Sequence, residues 1–180
     1  MTATNMTAAN SHPPKSTRIL QSVLLAALAL AATTALAQTD AQKAFNALKA
    51  MPGSWEGKND QGEPLQVSYK LTSGGSAVMS DIIAHGSDMP TIFHLDGPDK
   101  LLMTHYCTAG NQPRMQASVS PDGKIITFNF VDATNLDSPD AGHMQRMVLT
   151  LVDDNHHTEE WIFVSHGQET KQFFDLRRKS

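Results

Sequence analysis

The chain is 180 residues long, with 14 basic against 18 acidic side chains and a formal charge of −4 when histidine is neutral. That balance argues against nucleic acid or an anionic membrane surface as a partner, because both demand a basic face. Cys107 is the only cysteine, so no intrachain disulfide can form and stability has to come from packing.

Residues 1–37 carry the pattern of a signal peptide. Lys15 and Arg18 sit in a polar leader, Ile19 to Ala32 is apolar, and Ala35-Leu36-Ala37 offers the small residues that signal peptidase accepts. Cleavage is expected after Ala37, leaving residues 38–180 with 12 basic against 18 acidic side chains and a formal charge of −6. The apolar run is too short and alanine-rich to span a bilayer, which takes about 20 apolar residues. No membrane insertion is therefore expected after cleavage, and the implied address is periplasmic or secreted. One domain is expected, large enough to bury about two-thirds of its unfolded surface.

Thr39 or Asp40 can cap a short helix over Ala41 to Ala50, where Ala41, Ala44, Phe45 and Leu48 fall at helical spacing and Pro52-Gly53 stops it. From Trp55 onward the period changes to two. Leu65, Val67, Tyr69 and Leu71 alternate with polar neighbours, and Ser73-Gly74-Gly75-Ser76 turns the chain into Ala77 to Ile83. Further strands are predicted over Met89 to Leu95, Lys100 to Thr108, Arg114 to Ser120 and Ile125 to Val131. The polar stretch Asp132 to Gly142 is the longest gap and the candidate for a mobile flap. Gln145 to Val152, Thr158 to Val164 and Gln168 to Leu176 complete about nine short strands joined by hairpin-length turns. That pattern predicts an all-β fold, an antiparallel up-and-down barrel with one short N-terminal helix, since closure removes exposed edges.

Gly53-Ser54-Trp55 after a short helix resembles the Gly-x-Trp start of the calycins, the lipocalin-like small barrels. The resemblance implies that Trp55 closes one end of the barrel and that Arg177 or Arg178, from the last strand, packs across it; a guanidinium over an indole is an attractive pair. The continuation Trp55-Glu56-Gly57 is also slightly similar to the nitrobindin-type haem-binding barrels, although the fuller glycine pattern of that group is absent. Phe93-His94-Leu95-Asp96-Gly97, with Thr104-His105-Tyr106-Cys107 and Gly110-Asn111-Gln112-Pro113-Arg114, resembles uncharacterised bacterial secreted proteins of lipocalin-like type, which implies a fold but no activity.

The chemistry concentrates in Thr104 to Arg114. His94, His105, Tyr106, Asn111 and Arg114 are the candidate groups for orienting a small, largely apolar ligand in the barrel. Met103, His105 and Cys107, at i, i+2 and i+4, share one face of a strand about 7 Å apart, and that set would suit copper or zinc. The competing reading is that Leu101, Met103 and Cys107 fill an apolar face while His105 is an interior histidine held by a hydrogen bond. The pairs Asp153-Asp154 and Glu159-Glu160 are expected to be solvated, and the histidines at 156 and 157 to be scattered among turns. No nucleophile elbow, phosphate loop or zinc-protease helix is present. No catalytic residue is assigned, and no cofactor or oligomeric state follows from the residues. Three functions stay open: binding of a small apolar molecule, metal handling, and catalysis on a small molecule at the same barrel mouth.

Overall fold

The computed structural model describes residues 37–84 and 86–180. The expected leader therefore lies, apart from Ala37, outside the described residues. Helix α1 (Asp40–Lys49) begins where the sequence places it: Thr39 accepts a hydrogen bond from the Gln42 amide, and the Gln42 side chain accepts one from the Thr39 amide. This reciprocal cap satisfies two of the amides that a helix start leaves unpaired. Ala41, Ala44, Phe45 and Leu48 form its buried stripe. The Thr39 hydroxyl also donates to Pro98 O at 2.5 Å, and the helix packs against the fourth, fifth and sixth strands.

Ten strands follow among the described residues: β1 (Gly53–Asn59), β2 (Pro64–Thr72), β3 (Ala77–Ala84), β4 (Ser87–Asp96), β5 (Lys100–His105), β6 (Gln112–Val119), β7 (Ile125–Thr134), β8 (His143–Asp153), β9 (His156–Ser165) and β10 (Gln168–Arg178). Each pairs antiparallel with its neighbours in sequence, and β1 pairs with β10 from Trp55↔Arg178 to Asn59↔Phe174, closing the barrel. The fold is thus all-β, a closed antiparallel up-and-down barrel with one short helix. There are ten strands among the described residues rather than about nine, and most boundaries shift by one or two residues from the sequence pattern, two of them by three. β5 ends at His105, where Cys107 N turns to donate to Asn111 O; β7 continues to Thr134, because Asp132 lies opposite Arg114 on β6. The predicted flap shrinks to residues 135–142.

The two ends of the barrel differ. At one, α1 lies near the turn that joins β4 to β5. At the other, the mouth, the rim is made by the turns 60–63, 106–111, 135–142 and 166–167. Between them the centre is filled: Phe93, Phe128, Leu101, Met103, Met115, Ile126, Met147 and Leu149 are all fully buried. The seam between β1 and β10 depends on Gly57, since a Cβ there would stand 1.8 Å from Asp175 O, so no side chain fits without separating the strands. Trp55, 2% exposed, donates its indole N–H to Met51 O at 3.0 Å, and the Arg178 guanidinium lies 4.3 Å over its ring. Arg178 also donates to Pro52 O, Ala50 O and Asp154 O, whereas Arg177 points outward and is exposed.

Candidate functional site

Period-two alternation on β9 sends His157, Glu159 and Trp161 into the barrel and Glu160 outward, where Lys171 pairs with it. The expectation that Glu159 and Glu160 are both solvated is therefore corrected for Glu159, which is 1% exposed. Three donors surround it: Tyr69 Oη at 2.6 Å and His157 Nε2 at 3.3 Å from Oε1, and Trp161 Nε1 at 2.9 Å from Oε2. Burial pushes the Glu159 pKa up, but the His157 hydrogen bond and charge, with the Tyr69 and Trp161 hydrogen bonds, outweigh it and leave the pKa below the ordinary carboxylate value. Tyr69 is shifted well above 10, first by burial and then by the neighbouring carboxylate charge. The result is an ionised carboxylate at the heart of an apolar barrel, stabilised by a phenol, an indole and an imidazole.

His105 stands beside this network, fully buried, with its ring 4.9 Å from that of Trp161. Its Nδ1 shares a hydrogen bond of 2.9 Å with Thr91 Oγ1, and Nε2 has no hydrogen-bond partner among the described residues. Burial lowers its pKa to about 4, with the Glu159 charge pulling the other way, so the imidazole is neutral at pH 7.

The remaining residues singled out in the sequence divide by parity. Thr91 and Phe93 point inward on β4, so His94 points outward, half-buried, and its register with Leu102 puts it on the opposite face of the sheet from His105. Tyr106 lies one residue past β5 and is exposed; Arg114 is on the outer face of β6, paired with Asp132. Asn111 is buried in the mouth rim and donates through Nδ2 to Gly142 O at 2.8 Å, tying the 106–111 turn to the 135–142 loop. Of the five ligand candidates, His105 and Asn111 are buried, while His94, Tyr106 and Arg114 lie outside. Met103 and His105 share the inward face, but Cys107 has left the strand and belongs to the mouth. Among the described residues no group of three or more His, Cys, Asp or Glu side chains is placed to hold a metal ion.

The mouth itself is a pocket of about 540 Å3 whose floor and walls include Leu65, Met89, Cys107, Met144, Phe163 and Phe174. Among the described residues its lining has no charged side chain. Tyr106 N donates to Pro90 O, which sets Met89 and Cys107 opposite each other on the inner face. Phe163 is pressed against Gly142, where an added Cβ would lie 2.5 Å from the ring tip, so the rim loop and the pocket wall are in direct contact. Sequence reasoning missed Tyr69, His157, Glu159 and Trp161 as a unit. The signal was there: Trp161 marks the apolar face of its strand, and His157 and Glu159 share its parity.

No protein-family model matches the sequence, and no curated protein matches it. In three dimensions the chain is similar to the crystal structure of Rv2717c from M. tuberculosis, with a TM-score of 0.54 and 16% sequence identity over 76% of this chain and 98% of that one. At that identity the likeness shows a shared barrel fold.

Proposed function

We propose that this protein binds one small, largely apolar molecule without transforming it, and that the molecule sits in the barrel mouth. The observation that carries the reading is the pocket of about 540 Å3, without a charged side chain among its described lining residues, above a filled barrel centre. Phe163 and Phe174 offer aromatic area, and the thioethers of Met89 and Met144 adapt their shape to a ligand at little cost. Thr170 and Gln172 on β10 and Asn59 on β1 supply a few polar groups for orientation. Asn111 acts on the ligand indirectly, by holding the rim against Gly142. His105 lies two residues below Cys107 on the same face, as a neutral imidazole with one free nitrogen. The pattern of residues 1–37 supports a periplasmic or secreted location for this binding.

The test is native mass spectrometry of the protein purified from its own host, with 8-anilinonaphthalene fluorescence as a second readout. The expected result is a stoichiometric organic mass released on denaturation, and dye binding abolished in Phe174→Arg and Met144→Arg variants that keep their β spectrum. Stoichiometric copper or zinc in place of an organic mass overturns the reading. So does dye binding that both substitutions leave unchanged.

A further inference from the structure

At the helix-capped end, remote from the mouth, the chain forms a second pocket of about 620 Å3. Its walls are mainly apolar: Ala47 of α1, Met51 after it, Trp55 at the start of β1 and Leu151 near the end of β8. One buried polar side chain, His157, also lines it. His157 Nε2 is 3.3 Å from Glu159 Oε1, and an ionised carboxylate can only accept, so the hydrogen of the imidazole sits on Nε2. The other ring nitrogen, Nδ1, has no hydrogen-bond partner among the described residues although it is buried. The nearest guanidinium cannot serve it: Arg178 is committed to three backbone carbonyls and to the face of Trp55.

A buried ring nitrogen with no partner, beside a mainly apolar pocket, defines a ligand. It has to be mostly apolar, and it has to bring one group able to hydrogen-bond with an imidazole nitrogen. Asp153 and Asp154 at the rim, with Glu159 behind His157, disfavour an anion, while Lys124 and Arg178 disfavour a cation. A phenolic hydroxyl both donates and accepts, and an aromatic ring gives Met51, Trp55 and Leu151 a surface to cover. We propose that this pocket is a second binding site, taking a small neutral phenol whose hydroxyl hydrogen-bonds with His157 Nδ1. The site is independent of the mouth: it lies at the other end of the barrel and shares no lining residue with it.

Titration of the isotope-labelled protein with phenol and, in parallel, with toluene tests this by NMR. Phenol is expected to shift the Trp55 indole N–H, the His157 ring and the amides of residues 47–51, and to bind at least tenfold tighter than toluene, which has the same ring and no donor. His157→Ala removes a donor to Glu159 and endangers the fold, so the blocking variant is Ala47→Trp, on the half-buried flank of α1. It should abolish phenol binding and leave dye binding at the mouth as it was. Equal affinities for phenol and toluene overturn the proposal without any variant, as do shifts centred on Leu65 and Phe174, undiminished binding by Ala47→Trp, or no phenol binding at millimolar concentration.

Discussion

A single carboxylate tests the alternation of β9. Glu159→Gln keeps the shape but removes the charge and sets an amide N–H against one of three donors, so it should cost about 3 kcal/mol or more. Glu160→Gln, one residue away on the outer face, should cost under about 1 kcal/mol, because its exposed pair with Lys171 is of the kind worth little. Urea midpoints of the two variants measure the contrast; equal midpoints would mean that both carboxylates are solvated. Trp55→Ala should cost about 3–5 kcal/mol in the same assay, since it empties a buried indole site under Arg178. His105 adds a pH dependence. As pH falls below 6.5 the unfolded chain takes up a proton that the folded chain refuses until about pH 4, so stability should be complete above that window and fall by about 3 kcal/mol across it. Glu159, with its depressed pKa, contributes stability above the ordinary carboxylate value and loses it only at lower pH. Loss of stability above pH 5 therefore belongs to His105, and His105→Gln should flatten that part of the profile. A profile that stays unchanged in the variant would show that His105 is not the group refusing the proton.

At the scale of the element, the helix and most strands were legible because each carries a complete local pattern. Thr39 with Gln42 writes a helix start, and Leu65, Val67 and Tyr69 write a strand with one buried face. The inner and outer residues of β4, β5 and β6 follow from the same parity, which is why His94 and Arg114 could have been set outside from Phe93 and Met115 alone. Glu159 shares the inward parity of Trp161, but the partner that makes its burial tolerable was not legible, because Tyr69 reaches it across the barrel, a contact between residues 90 positions apart. The mouth pocket was illegible for the same reason, since its walls come from seven different strands and the 106–111 turn. Gly57 belongs to this scale too. Its strand pattern tolerates alanine, but the seam does not: Gly57→Ala should destabilise by about 3 kcal/mol or more, because the nearest atom is backbone and cannot rotate away. A thermal melt of Gly57→Ala close to that of the parent protein would show that the seam yields.

For the whole molecule, the closed sheet separates two ends with different chemistry. The helix-capped end has charged rim residues and a buried imidazole; the mouth has two thioethers and, among its described lining residues, no charge. The polar network from His157 through Glu159 to Trp161 and His105 occupies the space between them, so the barrel is a partition rather than a tube. Closure itself rests on the last strand. Until β10 docks, β1 and β9 present open rows of amides and carbonyls, and either can recruit a strand from another chain. A version ending at Gly167 should accordingly form sedimenting assemblies, and a synthetic peptide of residues 168–180 supplied in trans should dissolve them by filling the gap, as donated strands do in other sheets. Breakdown of the protein by a protease that cuts the exposed 166–167 turn would then release a complementation system: two inert fragments whose reunion reports, by recovered Trp55 fluorescence, on anything that brings them together.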